Sequence, residues 1–98
     1  MGDRSSSRYI VKRIEQFFDD DKELYRKVTP ISSSLNDLDI VKTFILAFHQ
    51  AREKAIQKKN GEIFTSHFDE KDSYSHIVYR LPSVKDTIQE TMIFTKTR

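Results

Sequence analysis

The 98-residue sequence predicts a single α+β domain, in which two N-terminal helical segments and a long central helix pack on a small antiparallel β-meander. Apolar residues recur at helical spacing near the start of the chain and again, over a longer run, in its middle. From residue 62 onward the period changes to two, and aromatic and β-branched residues become frequent. A chain of this length supports one modest core. We therefore assign residues 1–7 to a flexible leader and residues 8–98 to one domain.

The prediction of two N-terminal helices is based on a short pattern of apolar residues and on the acidic run that follows it. Ile10, Ile14 and Phe17 with Phe18 recur at i, i+4 and i+7 or i+8, which is typical of one helix face. Asp20 and Glu23 have the spacing of a capping box. We expect the first helix to end at the acidic run and a second, shorter helix to follow it.

The central helix is predicted over residues 35–59, with N-cap candidates at 32–34 and an Asn-Gly terminator at 60–61. Its apolar residues fall into two neighbouring stripes, so we expect the helix to be covered on two sides. One stripe contains Leu38, Val41, Ile45 and Phe48, and the other contains Ile40, Phe44, Ala47, Ala51 and Ala55.

A β-hairpin is predicted from residues 63–68 and 75–81, with a polar turn over 69–72. Pairing His67 with His76 separates the side chains cleanly onto two faces of the hairpin. In this register the core face contains Phe64, Phe68, Ile77, Tyr79 and Leu81, and the outer face contains Thr65, His67, His76, Val78 and Arg80.

The segment over residues 83–96 permits two interpretations. Ile88, Met92 and Phe94, interleaved with threonines, suit a third strand. Ser83 and Asp86 would instead suit the start of a terminal helix. We favour the strand, because β-branched residues resist helix formation and an isolated two-stranded hairpin is only marginally stable.

Composition excludes several classes of protein. The 17 basic and 15 acidic residues give a formal charge of +2, which decides neither for nor against nucleic-acid binding. The absence of cysteine excludes a disulfide framework, a thiolate zinc site and a cysteine nucleophile. No apolar run reaches the ~20 residues that span a bilayer, and residues 1–8 are polar, unlike a signal peptide. We expect a soluble protein of the cytoplasm, or of the host cytoplasm or nucleus if viral, with no membrane partner.

Motifs for catalysis are absent from the sequence. It contains no phosphate-binding glycine loop, no Gly-x-Ser-x-Gly and no His-Glu-x-x-His. The acidic run Asp19–Asp21 points its carboxylates in different directions, and a pair formed by His67 and His76 has no third ligand nearby. We therefore expect no enzyme activity, no cofactor and no metal site.

A basic tip at the end of the central helix is the candidate nucleic-acid site. Lys54, Lys58 and Lys59 lie there, and Arg80 on the outer sheet face would extend the patch. Cations in the last turn of a helix also interact favourably with its dipole, which accounts for them without a ligand. A nucleic-acid-binding regulator, either winged-helix-like or using this tip, is the alternative function.

The outer sheet face is the candidate surface for a protein partner. Its side chains are polar or β-branched, and Leu46 adds an apolar residue on the otherwise polar side of the central helix. The sequence therefore favours a small non-enzymatic protein-interaction or regulatory domain that acts as a homodimer or as a subunit of an assembly. The predicted interaction residues are Leu46, Thr65, His67, His76, Val78 and Arg80.

Overall fold

The computed structural model describes residues 7–97, which form one helix packed on a five-stranded antiparallel sheet, an α+β architecture. The sheet order is β2-β1-β5-β4-β3, so β5 is central and β2 and β3 are the two edges. The predicted leader over residues 1–7 lies, apart from Ser7, outside the described residues. The elements are β1 (Tyr9–Asp19), β2 (Lys22–Pro30), α1 (Leu38–Lys58), β3 (Glu62–Asp69), β4 (Tyr74–Arg80) and β5 (Thr87–Lys96).

The prediction of two N-terminal helices is wrong, because β1 and β2 form an antiparallel hairpin there. Ile10, Ile14 and Phe18 are four residues apart, and this spacing satisfies a strand period of two as well as a helical period of 3.6. β1 lies between β2 and β5 and is partly or fully buried along most of its length, so apolar residues occupy both of its faces. The alternation that would identify a strand is therefore missing from its sequence.

The acidic run is the turn of this hairpin and does not cap a helix. Asp19 pairs with Lys22, which leaves a two-residue turn at Asp20 and Asp21. Both have positive φ angles, 50° and 69°, as a type I′ turn requires, and aspartate tolerates this conformation better than most residues. Glu23, the supposed capping partner, accepts a hydrogen bond from Gln16 on β1.

The central helix is confirmed, although it is shorter than predicted and its N-cap is a different residue, whereas the predicted Asn60-Gly61 terminator is confirmed. Asp37 is the N-cap, and its side chain accepts a 2.7 Å hydrogen bond from the amide of Asp39. At the other end Asn60, with a φ of 60°, takes the left-handed position. The amides of Asn60 and Gly61 donate to the carbonyls of Gln57 and Ile56, both at 2.9 Å, which is the Schellman pattern.

Helix α1 packs against β1, β3, β4 and β5, and this covers one of its two apolar stripes. Val41, Ile45 and Ile56 are buried, whereas Ile40 is 48% exposed and Ala47 is exposed. The helix is therefore not covered on two sides in the single chain. Among the described residues, β2 packs on β1 alone.

The core consists of two apolar clusters along the helix-covered face of the sheet. Met92 of β5 belongs to the cluster under the first half of α1, and Ile88 belongs to the cluster under its second half. The buried members of the first cluster are Val11, Val41, Ile45 and Met92, and those of the second are Ile56, Ile77, Tyr79 and Ile88.

The predicted pairing of His67 with His76 is confirmed, and so is the favoured third strand, which is β5. A bulge between Ile63 and Thr65 shifts the register at the start of β3. As a result Ile63 packs against the second cluster, whereas Phe64, predicted to be in the core, is 48% exposed. The winged-helix interpretation is wrong, because the described residues contain one helix and its apolar side packs on the sheet.

Replacement of Gly61 by alanine is expected to destabilise the protein. An added Cβ would lie 2.6 Å from Cγ2 and 2.9 Å from the carbonyl oxygen of Ile56, in the turn that closes α1. We expect Gly61→Ala to lower the free energy of unfolding by about 1–3 kcal/mol, measured by urea denaturation with circular dichroism. Asn60→Gly is the matched control and should be neutral or stabilising, because it relieves a positive φ. An unchanged midpoint for Gly61→Ala would contradict this packing.

Candidate interaction surface

A buried carboxylate on the central strand ties the helix to the sheet. Glu90 of β5 is fully buried, and the Tyr79 hydroxyl of β4 donates to its Oε2 at 2.5 Å. Arg52 of α1 donates from Nε to Oε1 at 2.8 Å and from Nη2 to Oε2 at 2.7 Å, and Arg13 of β1 donates to Oε2 at 3.0 Å. Three strands and the helix therefore meet at one side chain.

The charges in this cluster balance. Glu15 stands opposite Glu90 in the register of β1 and β5, and Arg13 lies 3.1 Å from the Glu15 carboxylate as well. Two guanidinium groups thus face two carboxylates. Burial alone would raise the pKa of Glu90, but the hydrogen bonds from Arg52, Tyr79 and Arg13 outweigh it and hold that pKa below its ordinary value. Burial, reinforced by the carboxylate, raises the pKa of Tyr79.

The sequence-based predictions missed this cluster. The one signal for it is that Glu90 falls between Ile88 and Met92 at the period of a strand, where an apolar residue is expected. A charged residue at such a position requires partners from elsewhere in the fold. Those partners, Arg13 and Arg52, are distant in sequence, so the pattern alone does not identify them.

A second polar network ties α1 to β3 and β4 and surrounds His49, which is 6% exposed. Its Nδ1 lies 2.6 Å from the buried hydroxyl of Ser75, and its Nε2 lies 3.1 Å from the hydroxyl of Ser66. Ser66 donates its proton to Glu53. We therefore assign the hydrogen to Nε2, with Nδ1 accepting from Ser75. The network therefore joins α1 to both strands of the β3–β4 hairpin.

The predicted outer face of the hairpin is the open face of the five-stranded sheet, opposite α1. Thr65 pairs with Val78 and His67 with His76, so these four residues lie on one surface together with Arg80. The structure therefore places five of the six predicted interaction residues on one surface.

Leu46 lies elsewhere, on the helix side of the sheet, and is 36% exposed. It shares a helix flank with Lys42 and Glu53, which are four residues before it and seven after it. Lys42 approaches Glu70 in the β3–β4 turn at 3.7 Å, and Glu53 accepts a hydrogen bond from Ser66 of β3. Leu46 is therefore on the flank of α1 that faces β3.

Phe64 joins the open face because of the bulge, and the sequence-based predictions missed it there. The Arg80 guanidinium carbon lies 5.8 Å from the centre of the Phe64 ring, a cation–π arrangement that orients both side chains. Half-exposed aromatic and arginine side chains of this kind are enriched at protein interfaces.

The predicted basic patch is not brought together as one surface. Lys54, Lys58 and Lys59 are exposed at the C-terminal end of α1. Arg80 lies on the opposite face of the sheet, against Phe64. The three lysines stay a separate candidate site, and Arg80 belongs with the open face.

The two sheet edges differ in chemistry. β2 contains Lys22, Arg26 and Lys27, ends at Pro30, and has an irregular register beside Phe17 and Phe18. Cations, proline and bulges are the features that block pairing at an edge.

β3 lacks most of these features. Apart from its bulge, it has no lysine, arginine, aspartate or glutamate from Ile63 to Phe68, and it has no proline. Residues 64–67 are all exposed. β3 is therefore the edge that is chemically open to a further strand.

No family model, curated protein or solved structure matches the chain. Over residues 7–97, no helix combines the length and apolar character needed to cross a membrane. In the same part of the chain, no group of three His, Asp or Glu side chains is arranged to hold a metal ion.

Glu90→Gln is expected to destabilise the fold, because it removes the buried negative charge that pairs with the part-buried guanidinium groups of Arg52 and Arg13. We expect a loss of about 3 kcal/mol in the free energy of unfolding at pH 7. Because the pKa of Glu90 is lower in the folded state, its contribution is present above the ordinary glutamate pKa and is lost as the pH falls through the lowered value.

Urea denaturation over a range of pH measures both effects of this substitution. Glu15→Gln is the matched control, since that carboxylate contacts Arg13 at the rim, and its loss should be clearly smaller. Equal losses in the free energy of unfolding for Glu90→Gln and Glu15→Gln would contradict the conclusion that the buried carboxylate joins the helix to the sheet.

The His49 network predicts that stability declines in mild acid. Burial, the largest effect, lowers the pKa of His49; Glu53 opposes this and His67 adds to it. As the pH falls through the ordinary histidine pKa of about 6.5, His49 becomes protonated in the unfolded chain but stays neutral in the folded protein. The free energy of unfolding should therefore decrease there.

His49→Gln should reduce this pH dependence, whereas His76→Gln on the open face should retain it. Thermal denaturation between pH 5 and 8, the range in which histidine titrates, measures the difference. A wild-type melting temperature that stays constant over this range would contradict a neutral buried imidazole.

Proposed function

We propose that this chain is a non-enzymatic protein-interaction domain with a regulatory or assembly role, in which the β3 edge and the open face of β3 and β4 bind the partner. The observation that carries the proposal is the edge from Ile63 to Phe68, which has no lysine, arginine or carboxylate and, within residues 7–97, pairs with β4 alone; beside it lies an exposed and oriented Phe64–Arg80 pair. The domain would act as a homodimer or as a subunit of an assembly, and the proposed location is the cytoplasm.

An edge strand of this kind supports binding by strand addition. The partner's backbone supplies hydrogen bonds to the unpaired amides and carbonyls of β3, which gives affinity independent of sequence. Side chains that alternate along the strand give specificity. On the open face these are Thr65 and His67, with His76 and Val78 on the neighbouring strand.

The rest of the fold holds this edge in place. Ser66 of β3 contacts His49 and Glu53, and Ser75 on β4 contacts the other side of the same imidazole. Ser66 thereby anchors the face of β3 that lies under α1. The long edge of β3 away from β4 pairs with no other strand of residues 7–97. A rigid edge reduces the conformational entropy that is lost on binding.

Selection from a display library of random twelve-residue peptides on the purified protein tests the proposal. We expect enriched peptides that bind the wild-type protein and lose at least tenfold in affinity for Thr65→Lys, because an added cation at an edge strand opposes pairing. Val28→Lys is the matched control, since Val28 is an exposed residue of the other edge strand, and it should bind normally.

Two results, one from this selection together with the mass of the free protein and one from light scattering with nucleic acid, would overturn the proposal. One is that the protein neither self-associates nor enriches any peptide whose binding depends on Thr65. The other is a salt-sensitive mass increase with duplex or single-stranded DNA that is lost when Lys54, Lys58 and Lys59 are neutralised together. The second result would establish the nucleic-acid alternative.

A further inference from the structure

We propose that the cleft between the C-terminal end of α1, the β1–β2 hairpin and the loop over residues 81–86 binds a free α-amino acid with an aromatic side chain. The volume of this cleft is about 470 Å³. That volume lies within the range of small-molecule sites, roughly 300–1,000 Å³. Among residues 7–97, none of those that line it belongs to β3. The inference therefore goes beyond the proposed function and does not depend on it.

Two stacked aromatic rings form one wall of the cleft. Phe17 of β1 and Tyr25 of β2 are paired across the hairpin, and their ring centres lie 4.5 Å apart with an angle of 10° between the planes. Tyr25 is 54% exposed, so the stack orients a ring that is otherwise open to solvent. A third aromatic ring can join such a pair by offset stacking or by an edge-to-face contact.

Aliphatic side chains provide the rest of the apolar lining. Ile56 and Ile88 are buried members of the second core cluster, and Leu81 packs against that cluster from the loop after β4. Val84 of the same loop also lines the cleft. An aromatic ring in the cleft would therefore cover apolar surface on several sides, which favours binding through the hydrophobic effect.

The inner charges of the cleft are already balanced. Arg13 and Arg52 line it and pair with Glu15 and Glu90 at nitrogen–oxygen distances between 2.7 and 3.1 Å. A ligand with a net charge would lose hydration on entering and would meet no uncompensated charge of opposite sign there. This part of the cleft therefore favours a ligand without net charge.

Two further lining residues have opposite charges and no ion-pair partner within residues 7–97. Lys59 is the exposed C-cap of α1, and Asp86 belongs to the loop before β5. The helix end and this loop adjoin, because Gly61 packs beside Leu81. A zwitterion of zero net charge fits the pair, with its carboxylate toward Lys59 and its ammonium toward Asp86. Together with the aromatic wall, this is the chemistry of an aromatic α-amino acid.

Isothermal titration calorimetry of the full chain with L-phenylalanine tests the proposal. Phenylpropanoate lacks the ammonium and phenylethylamine lacks the carboxylate, so each should bind at least threefold more weakly than L-phenylalanine. L-alanine, which lacks the ring, should show no binding. Thr65→Lys, which opposes pairing at the β3 edge, should leave the affinity for L-phenylalanine unchanged. The two proposals therefore fail separately.

Substitution of the two charged residues assigns each end of the ligand. Lys59→Gln should weaken L-phenylalanine at least threefold and leave phenylethylamine unchanged, because that probe has no carboxylate. Asp86→Asn should weaken L-phenylalanine similarly and leave phenylpropanoate unchanged. Lys54→Gln is the matched control, since Lys54 is an exposed lysine of the same helix that does not line the cleft.

Tyr25→Ala removes one ring of the aromatic wall and should weaken L-phenylalanine about tenfold. Leu24→Ala is the matched control: Leu24 is the next residue of β2, is 51% exposed and does not line the cleft. Circular dichroism establishes that both variants fold.

Three results would overturn the proposal. One is that millimolar L-phenylalanine produces neither a heat of binding nor a rise in the melting temperature, which a ligand of the folded state must cause. The second is that phenylpropanoate or phenylethylamine binds as tightly as L-phenylalanine. The third is that Tyr25→Ala and Leu24→Ala change the affinity equally, which would place the ligand outside this cleft.

Discussion

The carboxylate of Glu90 is the interaction on which the arrangement of helix and sheet depends. It joins β5 to β4 through Tyr79, to β1 through Arg13 and to α1 through Arg52. The two apolar clusters lie on either side of it along β5. Apolar packing is non-directional. The four hydrogen bonds to the Glu90 carboxylate, in contrast, form together in only one position of the helix. The cluster thus gives orientation where the core gives stability.

The fixed helix determines which surfaces remain available for binding. With α1 held over β4 and its neighbours, β2 is left without a helix and β3 is anchored on its inner side by His49. The first edge contains cations and a proline, whereas the second has no lysine, arginine, aspartate or glutamate from Ile63 to Phe68. The open edge at β3 therefore follows from the same packing that builds the core.

Much of the second half of the chain could be predicted from its sequence, and the first half could not. The hairpin register at His67 and His76 and the strand at β5 followed from alternation and turn chemistry. In β1 the spacing of Ile10, Ile14 and Phe18 suits helix and strand equally, so the sequence does not distinguish them. The bulge beside Phe64 is also invisible in the pattern, because one extra residue reverses the faces of a strand without changing its composition.

The sequence by itself determined the central helix, the β3–β4 hairpin, the strand that follows it and most of the residues that β3 and β4 place on the open face, since these depend on contacts between near neighbours. Tertiary structure alone decided that the N-terminal segment is a hairpin, that Glu90 is paired by Arg13 and Arg52, and that Leu46 faces β3 rather than the open face. These features join residues far apart in the chain, and their energies come from burial and charge pairing that no local period records.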